Sequence, residues 1–379
     1  MVELDNIPQQ TRERIEHIGT ADLAVAIPGT SGQTPLGPIL TRIRASLRAF
    51  PVRPRTVVIH GASEFDPALL DPDLFQVVQC PLTQAAAMGV GENLGVRACA
   101  FITPEFEELA ALIRPVLELG FDVVTPCYDH HKFEGLINSS IVAPLTCALY
   151  GRRIQHPLGP DFAMSARALE HRGTRPIDAI VAGLEICQAH VGPRMYPPTD
   201  WTNLSSLLVH VLDPLFLEAE RYAYFWQRIR GSQAVPEFGE RFPNGEESGV
   251  VEVRGLIESF QLGYRNLQEV WTAILPPATL FELGKMARLA PGKFRMSDQV
   301  WVRIIYDFVM AHHLRTIHRD HLLRALTPLY LAWVASYALE IEAAGQGAAE
   351  QRLEQLAMAY EMSKPYLLSQ WRWPDRFNP

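Results

Sequence analysis

The chain of 379 residues is poor in cysteine, and its five cysteines follow no structural spacing. Cys80, Cys99, Cys127, Cys147 and Cys187 are odd in number, widely separated and include no Cys-x-x-Cys pair. That excludes a disulfide framework or zinc ribbon and points to buried thiols in a reducing compartment. Positive charge is not in excess. The 34 Lys and Arg residues stand against 42 Asp and Glu, a formal net charge of -8. This argues against broad binding to nucleic acid or anionic membranes. The first residues, MVELDNIPQQTRERIEHIG, have no apolar stretch of the signal-peptide kind. The longest apolar run, Leu326 to Leu339, is interrupted by Thr327, Pro328 and Ser336. It is shorter than a membrane span and predicts a buried helix. Neither an internal repeat nor a low-complexity tract occurs. Together these absences predict a cytoplasmic protein without nucleic-acid or membrane partners.

What is present is ordinary globular material, 48% hydrophobic and 20% charged, on a length that suits two domains. Ala21 to Pro28 reads as a buried strand running into the loop Pro28-Gly29-Thr30-Ser31-Gly32. Leu36, Ile39, Leu40, Ile43 and Leu47 repeat at three and four, an amphipathic helix over Leu36 to Phe50. Thr56 to His60, Phe75 to Gln79 and Asp122 to Pro126 read as further strands. A helix is predicted over Glu105 to Leu119, with Thr103 as N-cap, Pro104 at its first position and Gly120 as its stop. Alternation of this kind predicts an α/β fold with a mainly parallel sheet covered by helices, its ligands beyond the carboxyl ends of the strands. From about Thr202 onward helical periodicity dominates, over Leu204 to Ile229, Val251 to Ile274, Ala278 to Leu289, Ser297 to Ile317, Arg319 to Ala344 and Ala348 to Tyr366. The ending SQWRWPDRFNP suits a docking tail.

The stretch Asp122 to Leu169 carries His131-Lys132-Phe133, Asn138, Pro144, Tyr150-Gly151-Arg152-Arg153 and Pro157-Leu158-Gly159-Pro160-Asp161-Phe162. In these features it resembles a family of bacterial glycosyltransferases that includes mannosylglycerate synthase and glucosyl-3-phosphoglycerate synthase. Weaker similarity covers Asp22 to Thr30, Ile102 to Pro115, Asn266 to Trp271 and Arg319 to Leu331. The resemblance implies a GT-A-like domain over residues 1–200, an α-helical C-terminal domain over 201–379, and a nucleotide-diphosphate sugar as donor. It also implies a nucleotide-sugar site drawn from Pro28, Gly29, Thr30, His131, Lys132, Arg152, Arg153 and Gly159, with Asp161 near the acceptor.

Breaking the bond between sugar and diphosphate leaves charge on the leaving group, which something positive must stabilise. The family uses a divalent cation held by Asp-x-Asp after the fourth strand and by a later histidine. Here Gly95 to Glu105 reads GVRACAFITPE, without the paired aspartates, and Met195-Tyr196-Pro197-Pro198 has tyrosine in the histidine's place. The segment around Arg172 to Ala182 looks shortened as well. The expectation is therefore a chain without the magnesium or manganese cofactor of its relatives.

The remaining candidates have competing readings. Asp71-Pro72-Asp73 is better explained by turn chemistry than by metal binding. His130 and His131 either contact a ligand or hold a turn. Arg152 and Arg153 either face a diphosphate or pair structurally. Asp161 is either a base or hydroxyl clamp, or a structural loop carboxylate. His312, His313, His318 and His321 are better explained by helix packing than by a metal cluster. The functional expectation is a non-catalytic glycosyltransferase homologue, a scaffold or regulatory subunit that forms a homo-oligomer or a complex with an active paralogue. The alternative is a metal-independent glycosyltransferase serving a small acceptor such as glycerate or phosphoglycerate. A third class is a module that binds a nucleotide or sugar phosphate without reacting it.

Overall fold

The computed structural model describes residues 9–28, 35–61, 75–79, 84–171, 175–193, 203–241, 251–342 and 346–372. In chain order the first half contains α1 (Gln9–Ile18), β1 (Leu23–Ile27), α2 (Leu36–Leu47), β2 (Thr56–His60), β3 (Phe75–Gln79), α3 (Gln84–Asn93), β4 (Ala98–Phe101) and α4 (Leu109–Leu119). β5 (Val123–Asp129), α5 (Ala143–Tyr150), β6 (Arg152–Arg153), β7 (Phe162–Ser165), α6 (Ala166–Glu170), α7 (Pro176–Val181) and β8 (Ile186–Pro193) complete it. The second half contains α8 (Leu204–Arg221), α9 (Ala223–Trp226), β9 (Gln233–Ala234), β10 (Glu237–Phe238), α10 (Val253–Asn266), α11 (Gln268–Thr272) and α12 (Pro277–Met286). It ends with α13 (Asp298–Leu314), α14 (Arg319–Ala325), α15 (Thr327–Ile341) and α16 (Gln346–Arg372). These elements form two compact units drawn from interleaved stretches. The first combines Met1–Asp129, Ile154–Pro193 and Ala234–Pro243, and the second combines His130–Arg153, Arg194–Gln233 and Asn244–Pro379.

The first unit is built on an eight-stranded sheet in the order β10-β8-β5-β7-β4-β1-β2-β3. Every neighbouring pair is parallel except those made by β7, which runs antiparallel to both β4 and β5. This is the mainly parallel α/β sheet that the strand and helix alternation predicts. β1 is buried along its whole length, which is why LAVAI is continuously apolar instead of alternating. The predicted stripe of α2, Leu36, Ile39, Leu40, Ile43 and Leu47, is entirely buried and joins Val25, Ile27, Val58 and Leu112 in one core. Each such side chain contributes roughly 1.5–3 kcal/mol relative to exposure. Buried Asp122 ties three segments together at the start of β5. Its carboxylate accepts from Ser165 Oγ at 2.9 Å and from the Glu185 amide at 3.0 Å, and Arg167 approaches to 3.2 Å.

One predicted boundary is corrected. α4 begins at Leu109, not at Glu105, with Glu108 as its N-cap. Two interactions hold Thr103 to Glu108 out of the helix. The Thr103 amide donates to Asp161, and the Phe106 amide closes a turn onto the Thr103 carbonyl while the Phe106 ring enters the core. Gly120 does stop the helix, at a φ of 80°.

In the second unit, indole stacking marks the centre. Trp301 lies against Trp333 with ring centroids 5.8 Å apart, and Trp333 against Tyr337 at 5.2 Å. A π-helical turn at Asn138–Val142 breaks the usual carbonyl ladder. Its Ser140 carbonyl accepts from both Trp301 Nε1 at 3.1 Å and Tyr360 Oη at 2.9 Å. The stretch Arg319–Ile341 is long and apolar enough to cross a membrane by length and composition, but 72% of its apolar window is buried inside the protein. α16 is fastened by buried Arg352, whose guanidinium donates to both Asp298 oxygens at 2.6 and 3.1 Å and to Glu340 at 3.1 Å. The beginning of the predicted docking tail packs back onto this unit. The Trp371 ring stacks on His313 at 4.0 Å and meets Trp226 edge-on at 5.1 Å.

Candidate functional site

Within the first unit, the connection leaving β1 goes to β2 on one side while β4 lies on the other. That is a topological switch point, the position where open α/β sheets bind ligands beyond their strand ends. Pro28 directly follows β1 there. Gly29 and Thr30 lie outside the described residues, as do Asp71-Pro72-Asp73, Arg172 and Met195-Tyr196-Pro197-Pro198.

The carboxyl end of β4 is apolar. Phe101 stacks on Phe162 with centroids 4.8 Å apart, and Ile102 is buried behind it. Asp161 immediately precedes β7 and is 1% exposed. One of its oxygens accepts the Thr103 amide at 2.6 Å, and the other accepts the Tyr128 hydroxyl in a short bond. The Tyr128 ring in turn meets buried His156 edge-on at 5.0 Å. Asp161 thus ties together the ends of β4, β5 and β7. Gly159 sits in the same loop, its amide donating to the His156 carbonyl at 3.3 Å. A Cβ on Gly159 would rest in ordinary contact, 3.4 Å from the His156 Cβ, so space alone does not demand glycine.

These residues do not fit a divalent cation. No acidic residue stands between Arg97 and Glu105, both oxygens of Asp161 already accept protein hydrogen bonds, and Phe101 and Ile102 offer no ligand atoms. Magnesium and manganese need several oxygen or nitrogen ligands in a defined shell. Among the described residues, no group of three or more His, Cys, Asp or Glu side chains is placed to hold a metal ion.

The other sequence candidates belong to the second unit. The His131 amide donates to Glu134 Oε2 at 3.2 Å, and its ring meets Phe133 at 5.7 Å. Burial lowers the pKa of the His131 ring, against the pull of Glu134. Lys132 Nζ donates to the carbonyls of Ile341 and Glu342 at 3.2 and 3.1 Å, where cationic groups satisfy the open carbonyls at the end of α15. The Tyr337 hydroxyl donates to the Lys132 carbonyl at 3.0 Å, so the His-Lys-Phe turn is anchored to α15 from both directions. Arg152 and Arg153 are exposed and bond neutral partners, Gln233 Oε1 at 3.1 Å and Ser232 Oγ at 2.9 Å. Neither forms an ion pair among the described residues. Gly151, between them and α5, has a φ of +72°, and a Cβ there would come within 2.6 Å of Ile229 Cγ2. That glycine is required by the backbone.

His312 and its neighbours follow the packing reading. His312 is fully buried between acids of α8, His313 stacks on Trp371, and the rings of His318 and His321 are 5.4 Å apart. Sequence reasoning did not single out His190, which is 8% exposed on β8 with Nε2 3.2 Å from Glu237 of β10. Gly239, with φ +89°, lets the following backbone close over it, since a Cβ would stand 3.2 Å from the His190 carbonyl oxygen. Tyr128, Thr103 and His156 were also missed. Thr103 and Tyr128 reach the Asp161 loop from the ends of β4 and β5, so local sequence contains no signal for them, whereas His156 lies in that loop itself.

A mainly parallel α/β sheet with a topological switch point between β1 and β4 defines the class. No protein-family model matches the chain, and no curated protein does. Solved structures to which it is similar include glucosyl-3-phosphoglycerate synthase from Mycobacterium tuberculosis, in complex with Mn2+, UDP-glucose and phosphoglyceric acid. That similarity has a TM-score of 0.37 and 16% identity, and covers 57% of this chain and 85% of that one. Mannosyl-3-phosphoglycerate synthase from Rubrobacter xylanophilus is similar with a TM-score of 0.40 and 14% identity, over 59% of this chain and 81% of that one.

Proposed function

We propose that this chain is a glycosyltransferase-like protein that has given up the cation chemistry of sugar transfer and serves as a non-catalytic scaffold or regulatory subunit. On this reading the transferase-like portion lies in residues 1–200 and the helical portion in 201–379. The protein acts in the cytoplasm as a homo-oligomer or beside an active paralogue. One observation carries the proposal: Phe101, Ile102 and Thr103 occupy the end of β4 where the resemblance calls for acids, and Asp161 beside them is consumed by Thr103 and Tyr128. Losing a single well-placed electrostatic stabiliser costs about 3–4 kcal/mol of barrier, and losing a metal costs more. The test is turnover of a panel of UDP- and GDP-sugars with manganese or magnesium, with and without chelator. The expected result is no transfer or hydrolysis. Robust turnover that chelator abolishes refutes the proposal.

A second reading is favoured by one feature, the exposed Arg152 and Arg153, which lack ion-pair partners among the described residues. Guanidinium groups of this kind bind diphosphate oxygens well. In a metal-independent transferase these arginines replace the cation, and the acceptor is a small one such as glycerate or phosphoglycerate. This reading requires chelator-insensitive turnover that collapses on Arg153→Ala.

A further inference from the structure

His312 lies near the end of α13 with no exposed surface. Its Nδ1 is 2.8 Å from Glu220 Oε1 and its Nε2 is 3.0 Å from Asp213 Oδ1, both acids belonging to α8. An ionised carboxylate only accepts hydrogen bonds, and a neutral imidazole has one N–H. With a neutral ring, one nitrogen would therefore turn its lone pair toward a carboxylate. Keeping both contacts requires one more proton, which belongs to the three groups jointly. Imidazole is the stronger base, with a reference pKa near 6.5 against about 4 for carboxyls, so the proton resides on the ring.

The surroundings fit this assignment. From α14, Arg319 places Nη2 3.5 Å from the same Glu220 oxygen. From α13 itself, His313 lies within electrostatic reach of Glu220 and of the His312 ring, and of Arg315 at the end of the helix. α8 adds the uncharged Phe216 ring, edge-on at 5.5 Å, and α16 brings the uncharged Trp371 to His313. With the proton in place, His312 and Arg319 balance Asp213 and Glu220. Without it, net negative charge is left around a buried lone pair, which is costly.

We propose that Asp213, Glu220 and a His312 ring carrying protons on both nitrogens form a charged clamp that fastens α8 to α13. This goes beyond the proposed function and holds whether or not the chain turns over a nucleotide sugar. The direct test is long-range 1H–15N NMR of the full chain labelled with 15N-histidine, at pH 6.5. Both ring nitrogens of His312, assigned by loss of its signals in His312→Gln, are expected to carry protons. A ring with one protonated nitrogen overturns the proposal. A second measurement uses Glu220→Gln, whose amide oxygen accepts and whose NH2 donates, so that the contacts survive with a neutral ring. In this variant the His312 ring is expected to show a single protonated nitrogen under the same conditions. Two protonated ring nitrogens in the variant also overturn it.

Discussion

Asp307 gives the sharpest test of the packing of the helical unit. It sits on α13, 5% exposed, with one oxygen accepting from the Tyr366 hydroxyl of α16 at 2.5 Å. Its other oxygen is buried without a hydrogen-bond partner among the described residues. Burial pushes the carboxyl up from 3.8 to about 7, against the opposing pull of Tyr366 and Arg303. Between pH 4 and 7 the folded protein therefore holds a proton that the unfolded chain releases. The resulting stabilisation is complete below about pH 4 and is lost as pH rises through about 7. A shift of about three pH units corresponds to roughly 4 kcal/mol as an upper bound, and relaxation around the site leaves about 2–4 kcal/mol. Asp307→Asn removes the titration while keeping an oxygen for Tyr366, at a pH-independent cost of about 1–3 kcal/mol for the amide that replaces the unpartnered oxygen. The wild type should lead at pH 4.5 and lose that lead, relative to the variant, by about 2–4 kcal/mol at pH 8. All seven tryptophans fall in the second unit, so urea unfolding followed by tryptophan fluorescence reads this unit selectively. If the gap between the two proteins is the same at both pH values within about 0.5 kcal/mol, Asp307 is not held as a buried acid and the reasoning fails.

Other perturbations should act as follows. Gly151→Ala forces a Cβ to within 2.6 Å of Ile229 at a left-handed position, and should cost about 2–4 kcal/mol of stability in the same urea assay. Arg352→Ala strands Asp298 under α16 and leaves Glu340 with Arg295 alone, and should cost about 3–5 kcal/mol, read as a lowered urea midpoint and faster proteolysis near α16. Burial holds the thiols of Cys99, Cys127 and Cys187 up at about 12 and that of Cys147 at about 11, so these four should react with a disulfide reagent at pH 8 only after unfolding. Asp161→Asn leaves an amide where Thr103 and Tyr128 both donate, and should lower stability by about 1–3 kcal/mol whether or not the protein turns over sugar.

Much of the fold is legible in the residues. β2 and β3 span the predicted Thr56 to His60 and Phe75 to Gln79, and α2 buries the predicted stripe, because parallel strands and amphipathic helices declare themselves locally. β4 was not read, since ACAF is four residues of small and aromatic side chains with no period of its own. β7 was not read either, because its place between β4 and β5 depends on pairing across the chain. The start of α4 was misplaced for a related reason. Thr103-Pro104 looks like a helix start, but the Thr103 amide is spoken for by a carboxylate 58 residues away. The candidate site shows the same limit. Lys132 has the chemistry of a phosphate ligand, and only its contact with carbonyls 209 and 210 residues further along shows it closing the end of α15.

The interleaving of the two units sets the order in which the molecule can be made. The sheet lacks its edge strand β10 until residue 238 has been synthesised, and α5 lacks the Lys364 bond to its Leu149 carbonyl until α16 follows. Residues 130–153 therefore leave the ribosome long before the helices that bury them, and shortening the chain anywhere before α16 would strand that early segment without its eventual neighbours.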